Sequence, residues 1–268
     1  MSIRLNPDLL PSLLASIQDS KQSETVSTQQ LASGRSVNQL SDNPVAAASL
    51  VQNHDQAAGD GQFLQNLSTL QSKFQVADST LGNVVSALTR ALSLGVEGAN
   101  GTLNAGDRQA IAGEVQGLLN QTVSLANTTY QGTFLFAGTK VSTQPFTLDT
   151  TTVTYNGNSA TTSVELSNGD SISGNLPGDQ QFQNASGSVT GALQGLYTAL
   201  TTGTNIPTSV TEVQNALNQV NQQRVFYGNN LNQISLSESF LNQDQLNLSQ
   251  QENSLVGADL ATVATNFA

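Results

Sequence analysis

The sequence predicts a mainly α chain with a small β insertion, in which long antiparallel helices from both termini form a coiled-coil-like bundle beside an outer antiparallel β subdomain. Three observations predict it. Apolar residues recur at heptad spacing over 63–88 and again over 213–255. A segment rich in Thr, Ser, Val and Tyr separates the two, and Asn-Gly pairs punctuate that segment. The expected organisation is a terminal coil over 1–42, flexible without partners, a discontinuous helical bundle from 43–140 and 188–268, and a small β domain over 141–187.

The first element is the weakest. Leu10, Leu13 and Ile17 make an apolar stripe, but Lys21 and Glu24 interrupt it before Leu31. A stripe that short gains too little burial to offset roughly 1 to 2 kcal/mol per residue of backbone ordering unless another helix covers it. Residues 1 to about 40 are therefore expected to be mobile in the monomer. Next comes a connector in which Gly34 breaks the helical pattern between Leu31 and Pro44, and Ser33, Arg35, Asn38, Ser41, Asp42 and Asn43 crowd together. These residues, Leu31 and Pro44 included, are the candidate subunit interface.

Asn43 suits an N-cap and Pro44 the first helical position, so a long helix should start there and end near 95–101. Its seam runs through Phe63, Leu67, Leu70, Phe74, Ala77, Leu81, Val84 and Leu88, at spacings of four and three. A second helix fits Asp107 as N-cap, with Ile111, Val115, Leu118, Thr122 and Leu125 on one face. After it, Asn156-Gly157 and Asn168-Gly169 supply the positive φ angles of tight hairpins, so a small antiparallel sheet is expected over 147–176. An apolar stretch over 189–200 should form a helix leading to the last and longest one. There Val213, Val220, Tyr227, Ile234, Leu241, Leu248 and Leu255 fall on every seventh residue, flanked by a polar companion position at Arg224, Glu238 and Glu252. The same stripes suit an ordinary intramolecular bundle.

Composition narrows function. Eight Lys and Arg against 19 Asp and Glu give a net charge of -11, the wrong sign for a phosphate backbone, so neither nucleic acid nor an anionic membrane is an expected partner. No apolar run approaches the roughly 18 residues of a membrane span. Pro7, Asp8 and Pro11 break up the N-terminal stretch, which does not read as a cleaved signal peptide. The absence of Cys removes thiolate nucleophiles and Cys-rich metal sites. His54 is the single histidine and reads as a solvated helix residue, leaving no basis for a Ser-His-Asp triad or a two-His metal site. The carboxylates are scattered singly, no phosphate-loop motif is present, and the triplet Asn127-Thr128-Thr129 is of a kind that an Asn- and Thr-rich chain produces by chance. No catalytic residue, cofactor or metal is expected. The chain reads as a building block or binding module rather than an enzyme.

One resemblance covers nearly the whole chain. Leu31-Ala32-Ser33-Gly34-Arg35-Ser36-Val37-Asn38, then Leu40-Ser41-Asp42-Asn43-Pro44-Val45-Ala46-Ala47-Ala48, resembles the N-terminal signature of the flagellin superfamily. Its Ser-Asp-Asn-Pro-Val-Ala-Ala form looks like the hook-filament junction branch. Gly106-Asp107-Arg108-Gln109-Ala110-Ile111-Ala112 and Tyr130-Gln131-Gly132-Thr133-Phe134-Leu135-Phe136-Ala137-Gly138 are similar to that branch's central helix and following turn. Val153-Thr154-Tyr155-Asn156-Gly157-Asn158 and Leu176-Pro177-Gly178-Asp179 look like its small β domain, and Gly257-Ala258-Asp259-Leu260-Ala261 like its final signature. The family helix continues well past that last block, whereas this chain stops at Ala268.

The resemblance implies an extracellular structural subunit of the bacterial flagellum, exported unfolded by the flagellar type III route and kept soluble by an export chaperone. It implies a self-assembled ring between the first hook-associated protein and flagellin. Competing expectations are a flagellin filament subunit and, from another class, a secreted binding protein or enzyme with a helical stalk.

Overall fold

A computed structural model describes residues 9–39, 41–150, 152–166, 169, 171–184 and 188–267. The chain is mainly helical with a few small strand pairs, as the periodicity predicts. It divides into two compact units, one of Met1–Gln62 with Phe240–Ala268 and one of Phe63–Ser239.

The first unit holds helix α1 (Leu9–Ser33), the opening of α2 (Pro44–Gly98), the end of α6 (Ile206–Val256) and α7 (Leu260–Phe267). Asn43 caps α2, its side chain accepting from the Ala46 N–H at 3.1 Å. Ala46, Ala47, Leu241, Leu248 and Val256 are buried here. Val256 rather than Leu255 closes the heptad series of α6, since Leu255 is only half-buried. Residues 9–33 are helical and α7 lies alongside α1, although Leu10 (78%), Leu13 and Ile17 stay exposed.

The second unit contains the rest of α2 and α6 with α3 (Ala105–Ala126), α4 (Gly178–Phe182), α5 (Val189–Thr202) and the strands. Leu67, Leu70, Phe74, Leu81 and Leu88 of α2 are buried, as are Val213, Val220, Tyr227 and Ile234 of α6; Phe63 is half-buried. The two helices run antiparallel. Phe74 meets Tyr227 edge-on at 5.3 Å, and one turn further along α2 Asp78 receives Arg224 Nε at 2.8 Å and Nη2 at 3.1 Å. The Tyr227 hydroxyl accepts from Gln181 Nε2 at 2.6 Å, which removes a phenol from a place where it would otherwise be unpaired.

Four expectations about this unit are corrected. The cap of α3 is Asn104, which accepts from the Asp107 N–H; Asp107 stands at the third helical position and completes the capping box. The buried face also differs from the expected one: Leu119, Val123 and Ala126 are covered while Leu118 and Leu125 are half-buried.

In place of one sheet the described residues form three two-stranded antiparallel pairs: β1 (Thr129–Tyr130) with β2 (Thr133–Phe134), β3 (Phe146–Asp149) with β4 (Thr152–Tyr155), and β5 (Ser163–Glu165) with β6 (Ser171–Ser173). The Asn156-Gly157 pair follows β4 instead of turning a hairpin; the β3–β4 turn passes through Thr150, at φ 53°. Gly169, at φ 84°, does lie between β5 and β6, while Asn168 is outside the described residues.

The β1–β2 turn is the two-residue Gln131-Gly132, where φ values of 49° and 79° match a type I′ hairpin. It aims the chain into a cluster in which the Phe182 ring stands edge-on to both Phe136 and Phe146, at 5.3 Å each. Asn127 ties that cluster to α3. Its amide accepts from the Phe146 N–H at 2.9 Å and donates to the Phe146 carbonyl at 2.8 Å, so this side chain is occupied by the fold.

Candidate functional site

The candidate interface residues occupy the connector between α1 and α2. Gly34 ends α1 with φ 67°, a left-handed conformation that a Cβ would strain, and its N–H reaches the Gln30 carbonyl at 2.9 Å. The connector then meets the far end of the chain. Arg35 and Gly257 form an antiparallel bridge; the Ser36 N–H donates to the Val256 carbonyl at 2.7 Å and the Ala258 N–H to the Gly34 carbonyl at 3.0 Å. Two glycine turns, one leaving α1 and one leaving α6, are thus fastened to each other through the main chain.

Side chains reinforce this junction. The Arg35 guanidinium pairs with Glu252 of α6, and His54 Nε2 lies 3.7 Å from the same carboxylate oxygen. Ser33 Oγ accepts from the Arg35 N–H at 3.2 Å. Asp42 folds the rest of the connector, accepting from the N–H groups of Asn38 at 2.9 Å and Gln39 at 2.8 Å. Past Gly257, Asp259 caps α7. The hydrogen bond from the Thr262 hydroxyl, then that from its backbone N–H, hold the Asp259 carboxyl below the usual aspartate range.

Ser33, Arg35, Asn38, Asp42 and Asn43 therefore have hydrogen-bond partners inside the chain, and all five are exposed, as are Leu31, Ser41 and Pro44. The sequence shows each glycine turn but not their pairing.

Residue-level reading also missed a carboxyl pair. Asp60 of α2 is 7% exposed, and burial together with the nearby Asp244 of α6 raises its carboxyl above the ordinary range. Gln56 Nε2 donates to Asp244 at 2.8 Å. No group of three or more His, Cys, Asp or Glu that could hold a metal occurs among the described residues, and no described helix is long and apolar enough to cross a membrane.

Comparison with known proteins agrees with this arrangement. Residues 11–141 match the family described as the bacterial flagellin N-terminal helical region. The chain is 28% identical over 263 residues to the flagellar hook-associated protein 3 of Escherichia coli, covering 89% of this chain and 83% of that protein. Against the protein of the same name from Salmonella typhimurium it is 33% identical over 130 residues, 48% of this chain and 40% of that one.

Among solved structures, a putative flagellar hook-associated protein from Vibrio parahaemolyticus superposes with a TM-score of 0.74 at 20% identity, over 81% of this chain and all of that one (100%). The flagellar junction protein FlgL from Legionella pneumophila superposes with 0.66 at 17% identity, over 78% of this chain and 100% of that one. These likenesses show the fold. The two curated relatives are both named flagellar hook-associated protein 3. With its N-terminal signature and its C-terminal Gly-Ala-Asp block bridged at one junction, the chain is similar over most of its length to hook-associated proteins and carries a match to the flagellin N-terminal helical region over 11–141.

Proposed function

We propose that the chain is a subunit of a ring that joins the hook, through the first hook-associated protein, to the flagellin filament outside the cell. The observation that carries this reading is the similarity to hook-associated protein 3 along 89% of the chain, with both terminal signatures present. The physical character of the chain is compatible with it. Exposed apolar side chains along α1 leave that helix room for further partners, and a chain without Cys cannot be trapped by disulfides during export in an unfolded state. Its partners would be the first hook-associated protein, flagellin, further copies of itself and an export chaperone.

Deleting the gene tests this. Cells should still build hooks while shedding flagellin monomers into the medium, and the intact chain supplied in trans should restore filaments. Filaments still attached to the hooks of the deletion strain would overturn the ring reading.

A further inference from the structure

Each of the two long helices in the second unit carries one exposed stripe without charge, away from Arg90 and Glu97 on α2 and Glu212 on α6. On α6, Asn218, Asn221, Val225, Asn229, Asn232 and Leu236 are exposed and recur three or four residues apart, which puts them on one face. On α2, Gln65, Ser68, Gln75, Ser79, Asn83 and Ser86 are exposed on the side away from its buried seam. Three charged residues interleaved with these stripes, Lys73, Asp78 and Arg224, turn to partners inside the chain. Arg224 and Asp78 hold each other through two hydrogen bonds, and Lys73 Nζ donates to the Gly174 carbonyl at 2.9 Å, its ammonium depressed by burial.

The stripes, 65–86 and 218–236, run for about five to six turns, roughly 28 to 33 Å at about 1.5 Å per residue. Two chains that each carry a net charge of -11 repel wherever charged surfaces approach, so a contact between copies is favoured where both faces are neutral. The faces also differ in a complementary way. On α6, Val225 (59% exposed) and Leu236 (73%) project from a field of amides, whereas α2 presents small hydroxyl side chains between which such knobs can seat. Amides donate and accept together, so they can pair with hydroxyls and other amides without fixed polarity.

We propose that the neutral outer face of α6 docks on the neutral outer face of α2 of a second copy of this chain. The two faces are different, so the contact is head to tail and repeats from copy to copy, as a ring requires. The proposal rests on the ring reading and adds to it the surface that carries the contact.

The chain has no Cys, so introduced thiols are unique handles. The full-length double variant Asn83→Cys/Asn229→Cys, expressed in place of the native chain, should give a ladder of covalent oligomers when isolated flagella are treated with a short flexible bismaleimide. Each single variant should stay monomeric.

A double variant that remains monomeric in flagella containing it overturns the proposal. So does Asn229→Cys linking to its own counterpart, or a link to a different protein identified by mass spectrometry. A chain absent from isolated flagella overturns the ring reading, and this inference with it. Leu236→Glu provides a second readout. The purified variant should keep its melting temperature while its incorporation into flagella falls at least tenfold; normal incorporation would overturn the assignment of the face.

Discussion

Asp60 is a carboxyl that the fold keeps from water beside another carboxyl, Asp244, with the Gln56 amide bonded to the second of the two. Burial is the first cause of its raised pKa and the Asp244 charge the second. The sign of the linkage follows. Over the range from the ordinary aspartate value up to the raised one, the folded chain binds more protons than the unfolded chain, so this group makes stability fall as pH rises, and the full penalty persists above that range.

Asp60→Asn keeps the size and removes the charge. Its melting temperature should exceed that of the native chain at pH 7, and the difference should shrink toward zero as pH falls below the ordinary aspartate range. A difference independent of pH, by thermal unfolding followed by circular dichroism, would mean that the gain comes from packing. Asp259 behaves in the opposite sense, with a depressed pKa, so its contribution is present at neutral pH and lost on acidification. Comparing variant with native chain at each pH cancels it.

The long helices were legible in the sequence because a heptad repeat survives any tertiary context that buries one stripe. Val213, Val220, Tyr227, Ile234 and Leu241 are each nearly fully buried. What the repeat could not show is where a seam stops, and at the end of α6 the buried position passes from Leu255 to Val256, immediately before Gly257 turns the chain. Ile234→Ala should therefore cost roughly 2 to 5 kcal/mol and Leu255→Ala far less, measured by denaturant midpoint. Equal costs would contradict the observed burial.

The strands were less legible. Asn-Gly is a strong signal for a hairpin turn, yet the two-residue β1–β2 turn uses Gln131-Gly132, the β3–β4 turn passes through Thr150, and Asn156-Gly157 serves a loop. The connector lies between these cases. Gly34 and Gly257 each announce a helix end, but the contact between the two ends is made by residues such as Arg35 and Glu252, 217 apart in sequence, and local patterning carries no information about it.

At the scale of the whole molecule, each unit has its own support. The second contains the continuous aromatic and aliphatic core, whereas in the first α1 keeps most of its apolar residues in solvent. A helix of 25 residues without acidic groups in its first turn or basic groups in its last draws little stability from itself. What anchors it is the bridge between 34–36 and 256–258, the Arg35 to Glu252 pair and the neighbouring α7. Ordering of the N-terminal helix should then depend on the C-terminal segment.

A variant ending at Val256 loses Gly257, Ala258 and α7 together, and so loses the bridge. Hydrogen exchange on dilute, verified monomer should show the α1 amides exchanging faster in this variant than in the full chain. Protection at Leu81 on α2 and Ile234 on α6 should be unchanged, since their burial belongs to the second unit. If α1 exchanges identically in the two chains, the junction does not order it. If Leu81 or Ile234 lose protection as well, the two units unfold as one, and the C-terminal segment supports more of the molecule than the helix beside it.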